Sequence, residues 1–193
     1  MPKQASEAKA NVREAILATA KKAAQSRGYA GLNFRELAEG VGIKHASLYY
    51  YFATKADLGA AVAQRYWQDT AGVLEELLAH AGSAEAALRD YPKIFRKSLE
   101  DDNRLCLVSF MSAEYDELPD NVKAQVQAFA DVNVAWLTKV LKQAGMTPTT
   151  SAQRAVAIYA AVAGAQLMAR GRSDLALFDA LIDAYQGAGL FTA

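Results

Sequence analysis

Apolar residues recur along this chain at steps of three and four, the spacing that turns one face of a helix toward a core. Ile16, Leu17, Ala20, Ala23 and Ala24 mark the inner face of a first helix, which the capping-box pattern Asn11-Val-Arg-Glu14 should open and Gly28 should end. Residues 1 to 10 precede it as a loose arm. Phe34, Leu37, Ala38 and Val41 repeat at i, i+3, i+4 and i+7, with Asn33 as cap and Glu36 three residues on. Gly42 supplies a turn. A third helix, His45 to Tyr51, is too short to stand alone in water. It buries Leu48, Tyr49 and the following Phe52, and exposes Lys44, His45, Ser47, Tyr50 and Tyr51. Thr54-Lys-Ala-Asp57 begins a long fourth helix whose apolar stripe is Leu58, Val62, Tyr66, Val73 and Leu77, stopped by Gly82.

From Ser83 onward the pattern stays helical. Ala84, Leu88, Tyr91, Ile94, Phe95 and Leu99 mark a helix that Pro92 must kink or split. A short helix follows from about Arg104 to Tyr115. Pro119 restarts the chain in a first helical turn, and Val122, Val126, Phe129, Trp136, Leu137, Val140 and Leu141 face inward until Gly145. Residues 146 to 150 connect to two last helices, 152 to 170 and 174 to 186. The first is rich in small residues (Ala155, Ala160, Ala161, Ala163, Gly164, Ala165), which permit close helix approach; the second carries Leu175, Phe178, Leu181, Ile182 and Tyr185.

The segment 33 to 57 carries the chemistry. Two short helices about a tight turn, the second showing cationic, hydroxyl and aromatic groups, suit phosphates and base edges in a DNA major groove. The string Val41-Gly-Ile-Lys-His-Ala-Ser-Leu-Tyr-Tyr-Tyr-Phe52, followed by Thr54-Lys55, resembles the tetracycline-repressor (TetR) family, whose Leu-Tyr-x-x-Phe-x-x-Lys spacing falls on Leu48, Tyr49, Phe52 and Lys55. Lys44, Ala46 and Tyr51 depart from the residues common there, and a lysine at position 44 has no acceptor with which to cap a helix. Lys55 lies in the first turn of the fourth helix, where a cation opposes the helix dipole unless a phosphate is bound there. The resemblance implies DNA contacts from Arg35, Lys44, His45, Ala46, Ser47, Tyr49, Tyr50, Tyr51 and Lys55; Lys3 and Lys9 of the arm are further candidates.

It also implies an all-α fold of about nine helices. Residues 11–71 would form a three-helix DNA-binding domain, with the helix-turn-helix at about 34–53. Residues 72–193 would form a larger effector-binding and dimerisation domain, pairing with a second copy through residues 152–186. The family's effector pocket would draw on Tyr91, Phe95, Cys106, Phe110, Met111, Trp136 and Tyr159, with Met168 a further candidate. Apolar and aromatic walls suit a hydrophobic small molecule.

Composition bears on partners and on what is excluded. At 193 residues the chain holds one large domain or two small ones. Abundant alanine, scarce proline and few β-branched runs favour helix throughout. Net charge is zero, yet residues 1 to 60 carry a surplus of four positive charges balanced by an acidic remainder, the distribution of a basic reading head on an acidic body. No membrane span and no signal peptide is expected. One cysteine precludes an intramolecular disulfide and suits the cytoplasm. Cys106 is either a thiol sensor, with Arg104 nearby to favour thiolate, or a small buried apolar residue.

An enzyme finds no support. His45 and His80 lie on different elements, so neither a metal site nor a cofactor is expected. Ser47 and His45, two residues apart, point apart on a helix and make no nucleophile–base pair. No phosphate-binding glycine loop occurs, and Glu75-Glu76 and Asp101-Asp102 are solvated faces. The sequence thus describes a dimeric, ligand-responsive regulator of transcription, a repressor released from a palindromic operator by its effector. The alternative is a helical protein-interaction or small-molecule-binding module without DNA binding.

Overall fold

A computed structural model describes the backbone of residues 2–192, and side-chain surroundings from Lys9 to Thr192. Among the described residues all regular structure is helical: α1 (Pro2–Arg27), α2 (Phe34–Val41), α3 (His45–Tyr51), α4 (Lys55–His80), α5 (Ala84–Asp90), α6 (Pro92–Glu100), α7 (Leu107–Ala113), α8 (Asp120–Gln143), α9 (Pro148–Arg172) and α10 (Leu175–Gly187), with 3-10 turns at Tyr29–Gly31 and Tyr115–Glu117. The split expected at Pro92 is the α5/α6 break. Taken as one interrupted helix, the pair brings the number to the nine anticipated.

Cα packing gathers these elements into two compact units. Unit 1 comprises Met1–Tyr66 with Leu107–Gln127, and unit 2 comprises Trp67–Cys106 with Ala128–Ala193. Both units are discontinuous in sequence, and α4 and α8 each contribute residues to both. In unit 1, Ile16, Leu17, Ala20, Ala24, Leu32, Leu37, Leu48, Phe52, Leu58 and Val62 are buried. Each fully buried large apolar side chain contributes about 1.5–3 kcal/mol of transfer free energy. That tertiary burial compensates for the marginal intrinsic stability of the seven-residue α3.

Unit 2 is built around an aromatic cluster. Tyr91 stacks on Trp136 at 5.8 Å and tilts against Phe95 at 5.6 Å, and Tyr159 meets both Phe95 and Phe129. Several of the polar atoms around it are paired as burial demands. The Tyr91 hydroxyl donates to Asn133 Oδ1 at 2.8 Å, and Asn133 Nδ2 donates to the Phe129 carbonyl. Buried Gln166 donates from Nε2 to the Phe95 carbonyl at 2.7 Å and accepts the Cys106 N–H at 3.1 Å. Arg96 grips Asp179 with two nitrogens at 2.7 and 2.9 Å, tying α6 to α10.

Several local expectations are corrected. Residues 2–10 are helical, because α1 already begins at Pro2. A proline in the first turn and alanine-rich sequence extend it past Asn11, whose capping pattern is a permissive signal and no barrier. Along α4 the buried stripe steps through Leu58, Val62, Thr70 and Leu74, while Val73 faces out; over 26 residues the inner face drifts by one position. The α9 helix starts at Pro148, capped by Thr147, inside the stretch assigned to a connector. Tyr49, expected inside, is 51% exposed.

Candidate nucleic-acid interface

The reading unit is assembled from its caps. Asn33 Oδ1 accepts from the backbone N–H groups of Arg35 and Glu36 at 2.9 and 3.2 Å, opening α2. Glu36 does not return the bond: its carboxylate pairs with Arg27 at 2.7 Å, and the Asn33 N–H goes to the Gly31 carbonyl. Gly42 closes α2 in the left-handed conformation at φ 76°, while the Ile43 N–H reaches back to the Ala38 carbonyl. This is the helix-ending geometry that favours glycine.

α3 follows with Lys44 at its N-cap, and no side chain caps it. Its inner side is Leu48, buried, with Phe52 just beyond. Its outer side presents Lys44, His45, Ala46, Tyr49 and Tyr50, with Ser47 and Tyr51 half-buried. The aromatic rings brace one another. Tyr49 leans on Phe34 at 4.9 Å and meets His45 edge-on, and Tyr50 and Tyr51 pack edge to face at 5.4 Å. Tyr50 is 69% exposed, and Lys9 of α1 both donates to its hydroxyl at 2.9 Å and lies 4.3 Å over its ring. Arg35 stands on the outer face of α2, paired loosely with Glu39 at 3.5 Å.

Thr54 and Asp57 cap α4 reciprocally. The Asp57 N–H donates to Thr54 Oγ1 at 3.1 Å, and the Thr54 N–H donates to Asp57 Oδ2 at 3.1 Å. Lys55, one residue into that helix, rests 4.6 Å above the Tyr29 ring and donates weakly to the Ala30 carbonyl at 3.4 Å. Burial of Tyr29 in this corner raises its hydroxyl pKa. The structure thus places all nine sequence-derived DNA candidates in unit 1 on α2, α3 and their flanks. Lys9, a further candidate from the sequence, partners Tyr50, the Lys3 side chain lies outside the described residues, and the structure adds Tyr29 as the seat of Lys55. Tyr29 carried no sequence signal, because its role comes from a ring lying against Gly59, where a Cβ would sit 2.7 Å from it.

The effector candidates divide. Tyr91, Phe95, Trp136 and Tyr159 come together in unit 2, whereas Phe110 and Met111 lie on α7, which packs in unit 1. Cys106 is 2% exposed and belongs to unit 2. Unit 2 also contains a groove of about 280 Å³ lined by Ala71, Leu74 and Glu75 of α4 and Val132, Ala135, Trp136 and Lys139 of α8. Of the sequence-derived candidates only Trp136 lines it. The indole Nε1 of that residue is buried with no acceptor. Lys139 and Glu75 form an ion pair at 2.7 Å on the groove wall. Among the described residues there is no group of three His, Cys, Asp or Glu side chains placed to hold a metal ion, and no helix is long and apolar enough to cross a membrane.

An all-helical chain with a capped α2, a glycine turn and an exposed, aromatic α3 is a helix-turn-helix regulator of transcription. Residues 16–62 match the model for bacterial regulatory proteins of the tetR family, and residues 84–184 match the C-terminal domain of LmrA/YxaF-like transcriptional regulators. The chain belongs to the TetR family of ligand-responsive transcriptional regulators. It is 27% identical over 173 residues to the HTH-type transcriptional repressor NemR of Escherichia coli K12, covering 83% of this chain and 84% of that one. Among solved structures it is similar to a TetR regulator from Legionella pneumophila (TM-score 0.85, 28% identity, 91% of this chain and 95% of that one). Another similar structure is a TetR-family regulator from Agrobacterium tumefaciens (TM-score 0.82, 25% identity, 90% and 95%).

Proposed function

We propose that the protein is a dimeric repressor that binds a two-fold symmetric operator through paired α3 helices and leaves it when a small molecule occupies unit 2. The observation that carries this reading is the outer face of α3. Lys44, His45, Tyr49 and Tyr50 are all exposed there, where packing does not require them and a major groove would use them. Arg35, Ala46, Ser47, Tyr51 and Lys55 flank that face. The repressor sense is supported by the name of the Escherichia coli relative.

Pairing is supported by the outer faces of the last two helices. Val156, Leu167 and Met168 of α9 are 54%, 60% and 50% exposed, and nothing lies within 4 Å of a Cβ built at Gly164 or Gly171. Ala176, Ala180 and Ala184 of α10 are exposed as well. Large apolar groups beside small ones on a solvent face mark a contact surface, and an isologous pair would present two recognition helices to successive major grooves.

For the effector, the α4/α8 groove is supported as a site by its largely apolar walls and by its taking in Trp136, one of the sequence-derived candidates.

Retention of the protein on duplex DNA, with affinity falling steeply as salt rises, tests the DNA reading. Leu167→Glu should give a monomer by sedimentation and lose operator binding. A wild-type protein that ignores duplex DNA at low salt would leave only the reading as a helical binding module.

A further inference from the structure

Glu114 lies just beyond α7, 85 residues along the chain from the reading unit's corner, yet its carboxylate is built into that corner. Glu114 Oε2 accepts the backbone N–H of Tyr29 at 2.6 Å. The fit is close enough to dictate the neighbouring residue. A Cβ at Gly28 would fall 2.2 Å from Oε2 and 2.6 Å from the carboxyl carbon, and Gly28 also holds φ at +65°. The positive φ favours glycine, and a Cβ there would push the Glu114 carboxylate aside. Tyr29, fixed by its N–H, lays its ring on Gly59 of α4, and that ring carries the Lys55 ammonium 4.6 Å above its centre.

We propose that Glu114 is a positioning residue for DNA binding: by anchoring Tyr29 it sets where Lys55 stands. The proposal rests on the reading of Lys55 as a phosphate contact. The chain of support is Glu114 carboxylate, Tyr29 backbone, Tyr29 ring, Lys55 ammonium, all within unit 1.

Charge alone predicts the opposite of this role. Deleting a carboxylate near a DNA-facing surface removes repulsion and should tighten binding. Loss of a positioning bond should weaken it.

The test uses full-length protein and a duplex selected by the wild type from random sequence, with fluorescence anisotropy at several salt concentrations. Glu114→Ala should lose about tenfold in affinity and lower the salt slope of the dimer by about two, as Lys55→Ala does, because each costs one phosphate contact per subunit. Glu114→Asp, which keeps the charge and shortens the reach, should behave likewise. Glu114→Gln, whose amide oxygen still accepts the Tyr29 N–H, should stay within about threefold of wild type. In a Lys55→Ala background Glu114→Ala should cost less than about twofold, the non-additivity expected of residues that act as a unit. Wild-type or tighter binding by Glu114→Ala overturns the proposal. So does a loss that adds fully to that of Lys55→Ala with the salt slope unchanged, the result of a merely structural defect. Should Glu114→Ala fail to fold, Glu114→Asp and its double variant with Lys55→Ala decide in the same way. Failure of the wild type to select any duplex sinks the DNA reading itself and is seen before a variant is made.

Discussion

Tyrosines Tyr49, Tyr50 and Tyr51 of unit 1 and Tyr91 and Tyr159 of unit 2 are the same residue in opposite employment. Those of α3 crowd a short helix that packing already holds through Leu48 and Phe52, and two of them are more than half exposed. Tyr91 is fully buried, stacked on Trp136 and bonded to Asn133. Burial pushes its hydroxyl pKa well above the ordinary value, and that of Tyr159 upward as well. Tyr91 works for stability, since its ring leaves water and its hydroxyl meets Asn133; Tyr159 is half-buried, with its ring against Phe95 and Phe129. On α3 much of the ring area of Tyr49 and Tyr50 stays in water, and on the proposed reading it faces DNA. The difference lies in neighbours: Tyr50 stands on the outer side of a short helix, and Tyr91, at the α5/α6 break, is enclosed by Phe95, Trp136 and Asn133.

Four measurements break or sharpen that contrast, in falling order of expected effect. Tyr91→Ala should lose about 3–5 kcal/mol in denaturant unfolding, through transfer and cavity terms together. A loss under 1 kcal/mol would show that the cluster is not a structural core. Tyr91→Phe isolates the hydroxyl: stranding Asn133 Oδ1 should cost about 1–3 kcal/mol, and an unchanged midpoint would assign the whole effect to the ring. Tyr50→Ala should reverse the pattern, with stability within about 0.5 kcal/mol of wild type and operator affinity down about tenfold. A large fall in melting temperature with DNA binding intact would refute the division between the two groups.

The smallest effect belongs to the half-exposed pair Arg96–Asp179. Its hydrogen bonds from Arg96 depress the Asp179 pKa. The stability it contributes is therefore complete above the unfolded carboxylate pKa and is lost as pH falls through the lower folded value. With side chains 31% and 45% exposed, Asp179→Asn should cost only about 0.5–1 kcal/mol at neutral pH after screening. The variant and wild type should converge below the folded pKa. A gap that persists in acid would point to lost packing.

Local signals in the sequence were enough for α2, its Asn33 cap, the Gly42 turn, the uncapped Lys44 and the break at Pro92, because each depends on residues within one turn. The inner face of α8 was legible for the same reason. What escaped depends on residues distant in the chain. Glu36 looked like the second half of a capping box until Arg27 was seen to take it. Val73 rather than Leu74 looked buried, since a stripe drawn over two turns does not show slow drift over seven. Gln166 and Asn133 carry no motif, yet both are buried and connect backbone to aromatic core. Of the effector candidates, Trp136 alone meets the groove, whose other walls are two alanines, a valine, a leucine and the Glu75–Lys139 pair, none of which any pattern distinguishes from ordinary helix.

The chain has two tryptophans, Trp67 and Trp136, and both belong to unit 2. Emission excited at the red edge, where tyrosine does not absorb, therefore comes from unit 2 alone, with Trp136 on the groove wall as its own reporter. The tyrosines of α3 are silent in that window. A Trp67→Phe variant would leave one optical probe beside the groove, while a dye on the DNA reports binding, so that the proposed ligand arrival and operator release could be timed separately in one sample.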